Sequence, residues 1–116
     1  MRYGNKYHAR KTVRDGIVFD SKREADRWQE LKLLLAAGEI KNLQRQVEYE
    51  LIPPQKREWR GDYSERAVMY IADFVYLRGG RLVVEDVKSP VTKTPDYRIK
   101  RKLMRWVHGI HISEVE

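Results

Sequence analysis

Asp73 and Asp86 are two acidic residues whose spacing around a predicted turn could bring their carboxylates together. The pair Gly79-Gly80 lies between two apolar-rich stretches and predicts a two-residue hairpin turn, since both glycines tolerate positive φ. Such a turn pairs Arg78 with Arg81, and the same register then places Asp73 directly opposite Asp86. We therefore expect the two carboxylates on one face of the hairpin, with Cβ atoms about 4.5–5.5 Å apart.

Two carboxylates that face each other in apolar strands need a compensating charge. Like charges directly across a sheet repel each other, and residues such as Met69, Val75 and Val84 make the surroundings apolar. A shared proton, a bound cation or both would relieve the repulsion. Mg²⁺ fits best, because it binds carboxylate oxygens and keeps water molecules for a phosphate-containing substrate. We expect Mn²⁺ to substitute for it, since Mn²⁺ also prefers oxygen ligands.

Lys88 extends this site, because it follows Asp86 by two residues and therefore lies on the same face of the strand. Its ammonium group could orient or help to deprotonate an attacking water, or stabilise negative charge in a transition state. Glu85 points to the opposite face, where it would pair with Phe74, and is excluded from the site. The alternative is an edge hairpin whose polar residues merely face water, which the apolar neighbours of both aspartates disfavour.

Glu24 is a further acidic residue that could reach the site, in this case from a predicted helix. Ser21 and Glu24 form a capping-box pattern that opens this helix, and Gly38 is placed to end it. Trp28 and Leu31 continue an apolar stripe from Glu24 that faces the core. Two interpretations stay open: the Glu24 carboxylate completes the metal site, or it only bonds back to Ser21 as part of the cap.

The remaining patterns predict a single α/β domain. They indicate a hairpin at 12–19, a strand at 46–52, an exposed loop at 55–66, two strands at 67–77 and 81–88, a helix from Thr94 to Val107 and a short strand at 110–112. The core order is therefore helix, three strands, helix, strand. Residues 12–116 form this domain, and the basic, polar residues 1–11 are predicted to be a flexible arm.

The composition favours a polyanionic partner. The chain has 24 Lys and Arg against 17 Asp and Glu, which gives a net charge of +7. A basic surface gains affinity for phosphates by releasing counterions, although a basic charge can also serve solubility alone. The chain has no cysteine, which excludes disulfides and thiolate metal sites. The longest apolar run, 33–37, is far too short to cross a bilayer, so we expect a cytoplasmic protein without a membrane partner.

The two aspartates and the lysine together resemble the signature of the PD-(D/E)XK nuclease superfamily. That signature is an aspartate on the second strand followed by (D/E)-x-K on the third, and here it consists of Asp73 and the stretch Asp86-Val87-Lys88. The position before Asp73 is Ala72 instead of proline, which is a common departure. The resemblance implies a restriction-endonuclease-like αβββαβ core with a central mixed sheet.

The same resemblance implies an activity and a role for each residue. Asp73 and Asp86 would bind Mg²⁺ together with the Val87 carbonyl oxygen. Glu24 would hold or support a second metal, and Lys88 would act on the nucleophilic water. The reaction would be metal-assisted hydrolysis of a phosphodiester bond that leaves a 5′-phosphate.

More narrowly, the chain resembles small phage and prophage nucleases related to archaeal-type Holliday junction resolvases. The supporting stretches are 19–25, which contains Glu24, and the strands of Asp73 and Asp86. This implies a structure-specific endodeoxyribonuclease for branched DNA in a bacterial or phage-infected cell. It also implies a homodimer, since symmetric cleavage of a four-way junction needs two active sites. The three leucines at 33–35 and Trp59 are the expected dimer surfaces.

Two other functions stay open. A nuclease of the same superfamily could act on flaps, ends or other recombination intermediates. A basic DNA-binding module could instead use the carboxylates only to hold a structural metal, although such a site has no use for a lysine beside the cation.

Basic side chains near both ends of the chain are predicted to bind the phosphate backbone of DNA. Neither group shows a base-reading motif, so we expect recognition of shape rather than sequence. The expected contacts are Arg2, Lys6, Arg10, Lys11, Arg98, Lys100, Arg101, Lys102 and Arg105. In the second helix the cations surround an apolar seam, which we expect to consist of Ile99, Leu103, Trp106 and Val107.

Overall fold

The computed structural model of the chain describes residues 10–57 and 63–116. In chain order, its elements are β1 (Thr12–Arg14), β2 (Ile17–Phe19), α1 (Lys22–Ala36), β3 (Lys41–Ile52), β4 (Gln55–Arg57), β5 (Tyr63–Glu65), β6 (Val68–Arg78), β7 (Arg81–Val87), a short 3-10 helix (Pro90–Thr92), α2 (Pro95–His108) and β8 (Ser113–Val115). Strands β3, β6, β7 and β8 form one sheet in that order. The first three are antiparallel and β8 is parallel to β7, so the predicted α/β fold with a mixed sheet is confirmed.

The hairpin of β6 and β7 has the register that the Gly79-Gly80 turn predicts. Arg78 pairs with Arg81, and Phe74 pairs with Glu85. Both glycines have positive φ, of 57° and 76°, which is the conformation that this turn needs. The predicted register is therefore confirmed, and Glu85 faces the side of the sheet opposite to that of the residue after it.

Each helix begins directly after a residue whose side chain caps it. The Ser21 hydroxyl oxygen accepts the backbone N–H of Glu24 at 3.1 Å, directly before α1. Thr94 does the same for the N–H of Tyr97 at 3.2 Å, and Pro95 occupies the first turn of α2. These bonds satisfy N–H groups that have no partner within the helix. In the part of the chain that the structure describes, no helix is long and apolar enough to cross a membrane.

The two helices pack on opposite faces of the sheet, and β3 and β6 each change the face to which their alternate residues point. Alternating residues of a strand normally stay on one face. In β3, however, Leu43 and Arg45 contact the layer of α1, whereas Val47 and Tyr49 pack against the layer of α2. Gln46 lies between these pairs with a φ of 53°, so the strand turns its faces over at this residue.

Strand β6 changes faces at the same level. Tyr70 and Ala72 belong to the core cluster under α2, whereas Phe74 and Tyr76 belong to the cluster under α1. The pairing with β3 keeps one register on both sides of this point. Asp73 lies where the faces change, and its carboxylate is therefore placed at the boundary between the two helical layers.

A buried ion pair holds α1 against β7. The two carboxylate oxygens of Glu85 accept hydrogen bonds from Arg27, at 2.8 Å from Nε and 2.7 Å from Nη2. Tyr76 donates a further hydrogen bond from its hydroxyl to Glu85. Glu85 is buried, with 1% of its surface exposed. Burial and this hydrogen bond raise the pKa of Tyr76 to about 12, so the phenol remains a donor. A bidentate arginine is the geometry that best compensates a buried carboxylate.

Segment 55–66 is not the exposed loop that the sequence predicts. Strands β4 and β5 pair antiparallel, with Gln55 opposite Glu65 and Lys56 opposite Ser64. Residues 58–62 lie outside the described part of the chain. The strands gave no alternating pattern because their described side chains are exposed, and a ribbon without a buried face requires no apolar positions.

The last strand lies later than predicted. It covers Ser113–Val115 instead of 110–112, and Ser113 is opposite Glu85 of β7. Ile110 and Ile112 precede the strand and pack into the core under α2. The prediction was wrong because buried residues of a connecting segment show the same alternation as residues of a short strand.

Helix α2 buries a different stripe from the predicted apolar seam. Tyr97 and Met104 face the sheet and are 7% and 0% exposed, whereas Ile99 and Trp106 are 60% and 83% exposed. The predicted seam is therefore wrong for Ile99, Trp106 and Val107, the last of which is 45% exposed, and right for Leu103, which packs against the core. Arg101 gives the reason, since this charged residue lies between Tyr97 and Met104 on the inner side and binds a carboxylate of β8 at 2.8 Å.

Replacing Arg27 with Met should lower the free energy of unfolding by about 3–5 kcal/mol, because it leaves Glu85 buried without a cation. Urea denaturation of the metal-free protein measures the change. Arg27→Met combined with Glu85→Met should recover most of the loss, since no unpaired charge then remains. Arg23→Met is the matched control, because Arg23 forms an ion pair with Glu30 at the surface. Equal losses of unfolding free energy for Arg23→Met and Arg27→Met would contradict the stabilising role of the ion pair between Arg27 and Glu85.

Candidate active site

The carboxylates of Asp73 and Asp86 meet at the end of the β6–β7 hairpin. They lie close enough for Asp86 to raise the pKa of Asp73, as the register that pairs Phe74 with Glu85 implies for the next position. Asp73 Oδ2 also accepts the backbone N–H of Val87 at 2.8 Å. The structure thus brings together the two aspartates that the register predicted from the Gly79-Gly80 turn places opposite each other.

The environment of Asp73 strongly disfavours its charged form. Burial, followed by the charge and hydrogen bond of Asp86 and the charge of Glu24, raises the pKa of Asp73 to about 9. The N–H of Val87 opposes this shift but does not cancel it. At neutral pH, Asp73 of the metal-free protein therefore carries a proton and shares it with Asp86. A cation between the two carboxylates would displace that proton.

Asp86 is held by two further side chains. Tyr70 donates its hydroxyl to Asp86 Oδ2 at 2.5 Å, and the Lys88 ammonium lies 3.1 Å from Asp86 Oδ1. Burial, followed by the charge of Asp86, raises the pKa of Tyr70 well above its ordinary value, so this phenol is a permanent donor. Each oxygen of Asp86 thus has its own partner, which fixes the orientation of the carboxylate.

Lys88 is in turn held in place from α2 and β8. Its ammonium lies 4.5 Å from the centroid of the Tyr97 ring, a cation–π distance. The Tyr97 hydroxyl donates to Glu114 at 2.6 Å, and Arg101 and Lys93 bind the same carboxylate at 2.8 and 3.2 Å. Burial raises the pKa of Glu114, but these three partners outweigh it and lower that pKa to about 2. Glu114 therefore stays ionised and anchors the ring under Lys88.

Glu24 reaches the aspartates from the first turn of α1. It is 3% exposed, and its carboxylate lies close enough to Asp73 and to the backbone of Asp20 for both to act on its pKa. Burial and the charge of Asp20 raise the pKa of Glu24, against the opposing charge of Arg45. Among the described residues, Glu24 Oε2 has no hydrogen-bond partner. The Glu24 N–H donates to the Ser21 hydroxyl, but among the described residues its carboxylate is directed to Asp73 and Asp20 rather than back to Ser21, so the cap does not account for the carboxylate.

Arg45 is a neighbour of the site that the sequence did not reveal. Its guanidinium lies 4.8 Å from the Phe19 ring centroid and 6.0 Å from that of Trp28. Its charge acts on Glu24, and its buried Nε has no partner within the described ranges. Tyr70 was missed in the same way, because a tyrosine in a strand is indistinguishable from an ordinary core residue. The one available signal was Arg45 itself, a cationic residue in a strand whose alternate residues are half-buried.

The two aspartates open into a cleft of about 310 Å³ between the hairpin and the start of α2. Its walls include both aspartates, Lys88, Tyr97 and Lys100. Among the described residues, Lys100 is the predicted DNA contact that lines this cleft. A cleft of this kind lets a phosphodiester approach the carboxylates from solvent.

The other predicted DNA contacts lie elsewhere. A second pocket on α2 is lined by Arg98, Arg101, Lys102, Arg105, His111 and Ile112. Lys11 forms an ion pair with Asp20 at 3.1 Å, near the start of α1, and Arg10 is exposed. Arg2 and Lys6 lie outside the described residues, as does Trp59.

The donor set fits a hard divalent cation in its chemistry. Two neighbouring carboxylates and a third with a free oxygen are the ligands that Mg²⁺ prefers. Within residues 10–57 and 63–116, however, no three His, Cys, Asp or Glu side chains already converge as a metal-binding group. The Asp73–Asp86 pair is thus the part of the site that is assembled, and Glu24 stands beside it.

Fold and site together define an α/β protein whose sheet carries two aspartates and a lysine in an open cleft. The chain belongs to the family described as "Protein of unknown function (DUF1064)", whose model matches residues 4–111. No curated protein and no solved structure matches the chain. The match includes every residue of the site except Glu114, so the geometry described above is located within the family's own region.

The raised pKa of Asp73 makes the metal-free protein less stable as the pH rises. The folded state keeps a proton that the unfolded chain releases near pH 3.8, and it loses that proton only near pH 9. The free energy of unfolding should therefore fall between these values, by up to about 1.4 kcal/mol per pH unit.

Asp73→Asn should flatten this pH dependence, because it removes the titrating group. Urea denaturation in the presence of a chelator, at intervals from pH 5 to 9, measures the slope. Asp15→Asn, in the exposed β1–β2 turn, is the control that should leave the slope unchanged. Parallel curves for the parent and Asp73→Asn would show that Asp73 is not the group that retains the proton.

Proposed function

We propose that the protein is a Mg²⁺-dependent structure-specific endodeoxyribonuclease that hydrolyses phosphodiester bonds in branched DNA, most simply as a Holliday junction resolvase. The observation that carries this proposal is the contact of Asp73 with Asp86, with Lys88 at 3.1 Å from Asp86, in a cleft open to solvent. A structural role would not require a cationic side chain beside a metal site. Hydrolysis has a use for each of the three groups.

Asp73, Asp86, the Val87 carbonyl and Glu24 are the groups that would hold Mg²⁺, and Mn²⁺ would be accepted in its place. The bound cation supplies Lewis acidity at the phosphate and lowers the pKa of a water molecule. Asp86 enters this arrangement already oriented by Tyr70. Such outer hydrogen bonds commonly support the affinity of a metal site.

Lys88 would act on the substrate side of the site. Its ammonium group can donate hydrogen bonds to the attacking water or to a phosphate oxygen on which negative charge develops. Its contacts with Asp86 and the Tyr97 ring hold the ammonium in the cleft before a substrate arrives. This preorganisation lowers the barrier, because the group need not be reoriented during the reaction.

The charge distribution supports DNA as the partner. The chain has a net charge of +7, and Lys100 places a cation at the catalytic cleft. The basic residues on the opposite flank of α2 provide a further surface for phosphates. Together they favour recognition of the backbone and of its shape.

Two copies of the chain would be needed for symmetric cleavage of a four-way junction, so the proposal includes a homodimer. In the cluster at 33–35, Leu33 is 71% exposed and Leu35 is 38% exposed. Leu34 packs against the core, so the surface available to a partner is smaller than three leucines suggest. A cytoplasmic location in a bacterial or phage-infected cell belongs to the same proposal.

The proposal is tested by incubating the protein and Mg²⁺ with a labelled four-way junction, a flap, a linear duplex and single-stranded DNA. Paired symmetric nicks in the junction are expected. Asp86→Asn should abolish them, and Lys88→Met should slow them by about 100- to 1,000-fold, because it removes charge stabilisation in the transition state. Lys56→Met, which removes an exposed lysine of β4, is the matched control and should cut normally.

The other outcomes separate the alternatives. Cleavage of flaps or ends, but not of the junction, would retain the chemistry and replace the substrate. Normal cleavage by Lys88→Met would overturn the role of that residue. DNA binding without cleavage of any substrate would identify a basic binding module.

Tyr70→Phe should weaken Mn²⁺ binding by about 10- to 100-fold, because Asp86 loses the hydrogen bond that orients it. Titration calorimetry or electron paramagnetic resonance measures the affinity without a substrate. Tyr76→Phe is a matched control, since its hydroxyl bonds to Glu85 on the other face of the sheet. It removes the same atom from a buried phenol and should leave the affinity for Mn²⁺ unchanged. Equal affinities for all three proteins would exclude the positioning role of Tyr70.

A further inference from the structure

The outward face of α2 carries large apolar side chains in contact with solvent. Trp106 is 83% exposed, Ile99 is 60% exposed and Val107 is 45% exposed. Single exposed apolar residues are common, but tryptophan is buried on average, and a group of this kind on one helix marks a contact surface. The core does not account for them, because Tyr97 and Met104 already fill the inner face of α2.

Cations border this apolar face. Lys102 lies one helical turn before Trp106, and Arg105 is its neighbour in the chain; both are exposed and both line the pocket shared with His111. Arg101, in the same pocket, is bound to Glu114 and is less available to a ligand. The free side of the pocket is therefore positively charged and adjoins an indole ring.

A second copy of the chain is a poor occupant for this surface, because it would place the same cations against each other in a protein of net charge +7. Nucleic acid matches both parts of the surface. Its phosphates pair with Lys102 and Arg105, and its bases stack on aromatic rings. In a duplex the faces of the bases are covered by their neighbours, so the exposed ring of Trp106 suits an unpaired nucleotide.

The position of Trp106 relative to the cleft supports this match. Tyr97 and Lys100 line the catalytic cleft at the beginning of α2. Trp106 follows Lys100 by six residues, which is about 9 Å along the helix axis at 1.5 Å per residue. Six residues also turn the helix by about 600°, so the indole lies about 120° around α2 from Lys100, and a strand that leaves the cleft past Lys100 reaches it by passing around the helix.

We propose that Trp106 is a stacking platform for an unpaired nucleobase, and that the substrate class is nucleic acid with unpaired nucleotides next to the cleaved strand. Lys102 and Arg105 bind the phosphates that flank this base. The inference rests on the proposed nuclease function and specifies its substrate. It assigns to the second helix a recognition role that is separate from the chemistry at Asp73 and Asp86.

The test measures binding with the full chain carrying Asp86→Asn, so that cleavage does not interfere. A labelled 20-nucleotide single strand of thymidines and a blunt duplex of equal length are titrated with this protein at a fixed salt concentration. Adding Trp106→Ala should weaken binding of the single strand by about 5- to 150-fold, the range that stacking of one base contributes. Binding of the duplex should change by less than about twofold.

Two further variants complete the experiment. Trp106→Phe keeps an aromatic face and should retain most of the affinity for the single strand. Val13→Ala removes an exposed apolar side chain from β1, 69% exposed, and should change neither affinity. Because Trp106 is at the surface, its replacement should leave the midpoint of urea denaturation unchanged, which separates a lost contact from unfolding.

The outcomes distinguish this inference from the nuclease proposal. If Trp106→Ala binds the single strand as tightly as its parent does, the stacking platform is wrong, while cleavage at the aspartates remains open to its own test. If that variant instead lowers the sedimenting mass, the surface is an interface between copies. If the parent binds neither nucleic acid, the stacking platform is wrong, and the nuclease proposal is decided by the cleavage of the four-way junction.

Discussion

Two consecutive carboxylates in the middle of the sheet determine what lies on each side of it. Glu85 and Asp86 are 1% and 3% exposed, and they point to opposite faces of β7. Each needs compensation, because an unpaired buried charge costs several kcal/mol. Arg27 compensates Glu85 completely and thereby fixes α1. Asp86 is bonded by Tyr70 and Lys88, but its neighbour Asp73 adds a second acid on that side of the sheet, where burial and Asp86 disfavour its charged form.

The reversal of faces in β3 and β6 brings groups from both helical layers to the same acids. A regular strand would have kept Asp73 under one helix, with the opposite layer on the far side of the sheet. Because β3 and β6 change faces at the level of Gln46, Glu24 can approach from α1. Lys88 and Tyr97 approach from the side of α2. The site is a consequence of the twist as much as of the residues in it.

The sequence contained the local rules of this structure but not its distant contacts. A two-glycine turn sets a register by geometry alone, and capping residues act over three positions, so the hairpin and both helix starts were predictable. Which side of α2 is buried depends on Glu114 binding Arg101, a pairing that hydrophobicity does not encode. The same holds for Tyr70 and for Arg45, whose partners lie 16 and 21 positions away in Asp86 and Glu24. Long-range polar pairing is decided by packing.

The parallel pairing of β8 with β7 has a consequence for the order in which the site is assembled. During synthesis the β6–β7 hairpin emerges before α2 and β8, and its short turn lets Asp73 and Asp86 approach each other through local folding. Lys88 gains its contact with the Tyr97 ring in a fixed position only when the Tyr97 hydroxyl bonds to Glu114. This bond requires α2 to cross over to the sheet and β8 to pair with β7. A nascent chain thus holds acids that can attract a cation before it holds an oriented lysine. The support of Lys88 is therefore coupled to completion of the sheet, and a chain whose last strand has not docked lacks it.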